Sequence, residues 1–178
     1  MRLFIAILLD EPCKSLLGMA QDCLRGGAVQ GNFTRRENLH LTLAFLGETG
    51  RVDAVRAAMA EIHSPAFPLT LRGVGKFPRQ GGDVWWMGVS ENPPLETLQR
   101  QLSEVLHRRG FQLESRPFRP HLTLAREVLL TPGFDLSALR NLPSRTMRVE
   151  GISLMKSERL AGRLTYTELF SLPLDRNL

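Results

Sequence analysis

Apolar positions along this chain change rhythm several times, and each change marks an element. From Leu3 to Leu9 they run unbroken, the pattern of a buried strand over residues 2–9. Asp10 follows as a helix N-cap with Pro12 in the first turn, and the spacing predicts a helix to Arg25 that Gly26-Gly27 stops. Alternation over 38–46 predicts the next strand. Val52, Val55, Met59 and Ile62 recur at helical spacing and predict a second helix. Strands over 69–77 and 84–90 are joined by the turn-forming Arg79-Gln80-Gly81-Gly82. Asn92-Pro93-Pro94 opens a third helix whose stripe is Leu95, Leu98, Leu102, Val105 and Leu106, and Gly110 ends it. A strand over 118–126 follows, then a looser stretch with Pro132, Gly133 and Pro143, then strands over 146–156 and 164–172.

This order predicts an α+β protein with helices on the outer faces of largely antiparallel sheets. No stretch rich in Gly, Ser or Pro separates independent units, so residues 1–178 read as a single bilobal domain.

Two of the predicted strands share a pentapeptide. His-Leu-Thr-Leu-Ala occurs at His40-Leu41-Thr42-Leu43-Ala44 and again at His121-Leu122-Thr123-Leu124-Ala125, and it holds two of the four histidines. The repeat predicts a degenerate duplication, two lobes about a pseudo-twofold axis. Strand parity places Asn38, His40, Thr42 and Ala44 on one face, with Leu39, Leu41, Leu43 and Phe45 toward the core. In the second copy Arg119, His121, Thr123 and Ala125 share the polar face, opposite Phe118, Pro120, Leu122 and Leu124. The small alanine after each His-x-Thr is expected to leave room for a ligand.

Two facing imidazoles and two hydroxyls suit phosphodiester chemistry. Opening a 2',3'-cyclic phosphate needs a base for the attacking water, an acid for the leaving oxygen and donors for the charged phosphoryl oxygens. An imidazole with a reference pKa of about 6.5 serves as either acid or base near neutrality. No metal or other cofactor is expected. Neither polar face carries the carboxylates that Mg²⁺ or Mn²⁺ prefers, and a two-histidine Zn²⁺ site lacks a third ligand. His63, ending a helix, and His107, on the third helix, read as surface residues.

Charge and cysteines narrow the setting. The formal net charge is +5, which favours a polyanionic partner. No apolar run approaches the roughly 20 residues of a membrane span. The acid pair Asp10-Glu11 and the lack of a small-residue cleavage site argue against a leader peptide. Cys13 and Cys23 match neither metal-ligand nor disulfide spacing and suit a reducing cytoplasm.

The motifs resemble the two-histidine (2H) phosphoesterase superfamily, with its pair of His-x-Thr-x motifs in duplicated lobes. Over nearly the whole chain the similarity is to its bacterial RNA 2',3'-cyclic phosphodiesterase, or 2'-5' RNA ligase, family. It rests on Arg2-Leu3-Phe4-Ile5-Ala6-Ile7, on Glu37-Asn38-Leu39 through Leu46-Gly47, on Arg116-Pro117-Phe118-Arg119-Pro120 through Arg126, and on Tyr166 near the end. The resemblance implies a cleft between two antiparallel sheets and metal-free hydrolysis of a cyclic phosphate to a 2'-phosphomonoester. It implies His40 as proton donor, His121 as proton acceptor, and Thr42, Thr123 and Arg126 as phosphate ligands. The substrates implied are RNA ends, tRNA fragments among them, met by a cytoplasmic monomer. Strict alternation puts Arg126 on the core face, so its role requires a bulge near Ala125, with Arg119 as the alternative cation. Phe4 and Trp86 are candidate base-stacking residues, against the alternative of core packing. The competing activities are 2'-5' ligation by the reverse chemistry and non-catalytic binding of RNA ends or nucleotides.

Overall fold

The computed structural model describes residues 1–176; positions 177 and 178 of the expected 1–178 domain lie outside the described residues. In chain order the elements are β1 (Arg2–Leu8), α1 (Glu11–Arg25), β2 (Ala28–Phe33), a 3-10 turn (Arg36–Asn38), β3 (His40–Glu48), α2 (Val52–Ala60), β4 (Phe67–Phe77), β5 (Asp83–Val89), α3 (Pro93–Arg108), β6 (His121–Leu130), α4 (Ser137–Arg140), β7 (Arg145–Val149), β8 (Gly151–Leu160) and β9 (Arg163–Pro173).

The strands form two sheets, of order β3-β1-β8-β9 and β2-β6-β5-β4-β7, with every paired strand antiparallel. The two orders match if β3 corresponds to β6 and β1 to β5, with β2 as an extra edge strand on β6. The duplicated pentapeptide therefore sits on corresponding strands. One face of each sheet is apolar and covered by helices: α1 lies on β6, β7 and β2, while α3 lies on β3 and β4. Leu3, Ile5, Ile7, Leu41, Leu69, Leu71, Met87, Leu122 and Leu124 join Leu16, Leu17, Leu24, Leu98, Leu102 and Leu106 in one continuous core. The opposite faces are left to border a cleft. The α+β architecture agrees with the sequence expectation.

Three local differences have plain causes. The run expected as one strand over 146–156 is two: β7 pairs with β4 in the second sheet, and after Glu150 the chain crosses to the first, where β8 pairs with β1. β2 escaped prediction because it is a mostly exposed edge strand with Gly31 inside it and no apolar alternation. The short α4 lies in the stretch that reads as loop.

The caps agree with their sequence signals. Asp10 Oδ1 accepts from Cys13 N–H at 2.9 Å, and Asn92 Oδ1 accepts from Leu95 N–H at 3.0 Å. Asn92 is buried, and its Nδ2 also donates to the Pro68 carbonyl at 2.8 Å, tying α3 to β4. Asn92→Ala removes both bonds, taking these partners from the buried Leu95 N–H and the part-buried Pro68 carbonyl. We expect a loss of about 1–3 kcal/mol in urea unfolding; a loss within error would remove this tie from the account of the fold.

Candidate active site

β3 and β6 lie side by side where the two sheets meet. His40, Thr42, His121, Thr123 and Arg126 all border one cleft of about 880 Å³. A second arm of about 710 Å³ shares Thr42, Phe45, His121 and Arg126 with it and extends along Phe77, Arg79, Arg116, Phe118 and Arg119. The catalytic-type residues thus stand at the junction of two arms.

The histidines are anchored alike. His40 Nδ1 donates to the Asn38 carbonyl at 2.7 Å, and His121 Nδ1 donates to the Arg119 carbonyl at 2.7 Å. A carbonyl only accepts, so each Nδ1 carries the proton and each Nε2 is the nitrogen left for proton exchange. Each bond is available because its histidine opens its strand: the residues before it (the 3-10 turn at Asn38, the irregular segment through Arg119) are not held in a ladder. Thr42 Oγ1 donates to His40 Nε2 at 2.9 Å, coupling the hydroxyl to the imidazole of the first motif.

Both motif strands carry a bulge at the same place, and this overturns the simple parity. On β3, Ala44 pairs with Ile5 and Thr42 with Ala6, leaving Leu43 as the extra residue. On β6, Ala125 pairs with Trp85 and Thr123 with Trp86, leaving Leu124 extra. In each motif two successive residues face the core: Leu43 and Ala44, then Leu124 and Ala125. Ala125 is therefore packed in the core and does not open room for a ligand, while Ala44, 7% exposed, still borders the second arm. The next residue in each copy is turned outward instead. Arg126, assigned to the core by alternation, is exposed in the cleft, and Phe45, also assigned to the core, is 46% exposed.

A glutamine holds each bulge. Gln21 of α1, 4% exposed, donates through Nε2 to the Leu124 carbonyl at 3.0 Å and to the Thr34 carbonyl at 2.7 Å. Gln99 of α3 donates through Nε2 to the Leu43 carbonyl at 3.3 Å. A bulged residue leaves the ladder with its facing strand, and a buried carbonyl short of partners costs about 1–3 kcal/mol; Gln21 shares the Leu124 carbonyl with the Thr34 N–H, which lies 3.0 Å from it. The glutamines sit on the covering helices at corresponding positions behind the two motifs. Sequence reading missed them, since a glutamine in an amphipathic helix gives no signal until the helix is docked.

Aromatic rings pack around each imidazole. His40 lies 4.9 Å from the Phe4 ring and 5.3 Å from Tyr166, between centroids, and those two rings are 4.9 Å apart. His121 lies 5.2 Å from Phe77 and 6.5 Å from Trp86. Phe4 is only 4% exposed, so it supports His40 and is not a base-stacking surface. Trp86 likewise packs across Gly75, where a Cβ would come within 2.3 Å of its ring. Burial pushes the His40 imidazole below its ordinary pKa; the Asn38 carbonyl opposes this in part, and the nearby charges of Arg126 and His121 add to it. Tyr166 is pushed up, chiefly by burial, and stays a neutral phenol.

Cations rim both arms. Arg2, Arg35, Arg159 and Arg163 border the first, and Arg79, Arg116 and Arg119 the second. Arg119 does not border the arm that holds both threonines, so Arg126 is the cation at the histidines. The cleft's carboxylates are engaged elsewhere: Glu48 meets the N-terminal ammonium at 3.3 Å and Glu158 meets Lys156 at 3.0 Å. Among the described residues no three His, Cys, Asp or Glu side chains gather to hold a metal ion. His107 bonds its own helix through the Ser103 carbonyl and borders the second arm.

Two corresponding His-x-Thr strands across a cleft between two antiparallel sheets define a two-histidine phosphoesterase. The chain belongs to the 2'-5' RNA ligase superfamily, which it matches over residues 24–161. It is 33% identical to an RNA 2',3'-cyclic phosphodiesterase of Methanothermobacter thermautotrophicus over 179 aligned positions, covering 94% of this chain and 96% of that protein. A Geobacillus stearothermophilus RNA 2',3'-cyclic phosphodiesterase is 34% identical over 146 positions, which cover 79% of this chain but only 46% of that protein. Among solved structures, Escherichia coli LigT in apo form superposes with a TM-score of 0.79 at 30% identity, covering 97% of this chain and 96% of that one.

Two outcomes follow from this geometry. Gln21→Leu keeps the volume but releases the bulge that aims Arg126; since small misplacements are costly, turnover should fall by about 10-fold or more while the protein stays folded. Unchanged turnover would show that Arg126 is aimed by something else. Because burial favours neutral imidazole, the acidic limb of the kcat/KM profile should lie below the ordinary histidine range. Tyr166→Ala lets water reach His40 and should move that limb upward; a limb that stays put counts against the aromatic enclosure as the cause.

Proposed function

We propose that this chain is an RNA 2',3'-cyclic phosphodiesterase, a hydrolase that opens a terminal cyclic phosphate to a 2'-phosphomonoester. The observation that carries the reading is the pair of identically anchored histidines, each held through Nδ1 so that Nε2 is the nitrogen left for proton exchange, on corresponding strands of one cleft.

In this scheme His121 Nε2 takes a proton from water as the water oxygen bonds to phosphorus. The bond from phosphorus to the 3'-oxygen breaks, and that oxygen takes the proton carried by His40 Nε2. Thr42, Thr123 and the Arg126 guanidinium hold the nonbridging oxygens as charge builds. His40 is a strong acid once protonated, because its enclosure disfavours the imidazolium. The phosphodiester anion entering the same partly dry cleft supplies the counter-charge that lets it protonate. Solvent exchange then restores both protons. Acid, base and anion donors all come from side chains, so no cofactor has a step to perform.

The partner is an RNA end bearing the cyclic phosphate, tRNA fragments included, and the +5 net charge favours its approach. No described helix is long and apolar enough to cross a membrane. The free cysteines Cys13 and Cys23 fit a monomer working in a reducing cytoplasm. Ligation uses the same groups with a ribose hydroxyl in place of water. Against water at about 55 M it prevails only where two RNA ends are held together.

A phosphorus NMR time course with adenosine 2',3'-cyclic phosphate tests the reading. We expect conversion to the 2'-phosphate, undiminished by EDTA. His40→Ala and His121→Ala should each lose about 10²–10⁴-fold in kcat and keep their fold. A 3'-phosphate product, or activity abolished by chelation, would overturn the mechanism.

A further inference from the structure

Asn38 bonds in two directions, and both bonds serve one imidazole. Resting on the cyclic-phosphate reading, we propose that Asn38 is a positioning residue for His40: its side chain latches the β8–β9 ribbon that holds Tyr166 against the imidazole.

The ribbon is the first argument. β8 pairs with β1 only as far as Ser157, while its pairing with β9 runs on to Leu160 and Arg163. Residues 158–165 therefore project beyond the first sheet as two strands alone, a form that is marginally stable without further support. Among the described residues, two hydrogen bonds tie this projection to other parts of the chain, and both end on the Leu164 carbonyl. Asn38 Nδ2 donates to it at 3.0 Å, and Arg35 Nη2 donates to it as well. Both donors lie on the connection from β2 of the second sheet to β3 of the first. Asn38 is 5% exposed and its bond is partly buried, whereas the Arg35 bond is open to water.

What the latch holds is the second. Leu164 and Tyr166 stand two apart on β9 and share a face. Both border the first arm, and neither borders the second. Tyr166 packs edge-on against His40 at 5.3 Å and against Phe4 at 4.9 Å, between centroids, over an apolar patch that includes Ala6 and Met155. A ribbon free to swing would lift the phenol from the imidazole and admit water. The Asn38 carbonyl meanwhile accepts from His40 Nδ1 at 2.7 Å. One residue thus fixes the imidazole through its backbone and the cover of that imidazole through its side chain.

The other motif supplies the contrast. The residue two before His121 is Arg119, whose carbonyl anchors the ring at the same 2.7 Å but whose side chain is exposed on the rim of the second arm. The anchoring bond is exposed at His121 and partly buried at His40. Enclosure differs where Asn38 and Arg119 differ.

The groups that face His40 are Arg126 and His121 from β6 and the neutral Tyr166 from β9. Glu48 and Glu158 border the same arm but are paired with the N-terminal ammonium and Lys156. Burial outweighs the neighbouring charges in holding the His40 imidazole low, so opening its cover raises the pH at which it titrates.

Proton NMR titration of the His40 ring, assigned by its loss in His40→Ala, reads the latch without substrate. Asn38→Ala keeps the carbonyl that anchors Nδ1 and removes only the amide. The His40 midpoint should rise toward the ordinary histidine value. With adenosine 2',3'-cyclic phosphate, kcat should fall about 10-fold while KM changes little. In a Tyr166→Ala background, where the cover is already open, Asn38→Ala should add little further rise. Arg35→Met removes the other donor at a partly exposed position and should move His40 the same way. Arg35 is not among the charges that act on His40, so that movement reports the latch. Should Asn38→Ala unfold, Arg35→Met decides alone. A midpoint that stays put in either folded variant, or shifts that add fully with Tyr166→Ala, overturns the proposal. Expected shifts in a protein that opens no cyclic phosphate would defeat the hydrolase reading and leave the latch standing.

Discussion

The site depends on two hydrogen bonds that never touch it. Gln21 and Gln99 reach from the covering helices to the carbonyls of Leu124 and Leu43, the residues that fall out of ladder at each bulge. Each bond is worth only about 1 kcal/mol net. Its consequence is larger than its energy, because strand side chains alternate faces and one extra residue reverses every side chain beyond it. With the bulges in place, the histidines and threonines keep one face while Arg126 and Phe45 join them. Without them the guanidinium would point into an apolar layer, where an unpaired charge is untenable.

The same economy governs the imidazoles. A backbone carbonyl two residues upstream fixes each tautomer, and aromatic rings fix each ring plane. Enclosure has a second effect: it favours the neutral form of His40. A mobile surface histidine would titrate near its ordinary value and sample many orientations. Here the pocket that orients the group also sets the pH at which it exchanges a proton. Phe4 and Tyr166 belong to this supporting layer, and their contribution is to place His40 rather than to meet a ligand.

The duplication explains why the two halves resemble each other, and its departures explain how the cleft gains direction. Strand order, motif position, bulge and glutamine correspond between the halves. The residue after the bulge does not: it is Phe45 in one and Arg126 in the other. Thr42 is bonded to His40, whereas His121 makes no such bond to Thr123. A symmetric cleft could bind an anion in either of two senses, and these differences single out one.

Much of this was legible in the residues alone. The repeated His-Leu-Thr-Leu-Ala, the helix caps at Asp10 and Asn92 and the mixed order of strands and helices are local signals, because periodicity and capping act between near neighbours. They determined the α+β class and put His40, Thr42, His121 and Thr123 on matching faces. Parity failed at Ala44, Phe45, Ala125 and Arg126, since a bulge is a relation between two strands and leaves no mark on one. The role of Phe4, the split of β7 from β8 and the clamps by Gln21 and Gln99 were equally out of reach. Each depends on which distant segment lies alongside, and only packing of the whole chain decides that.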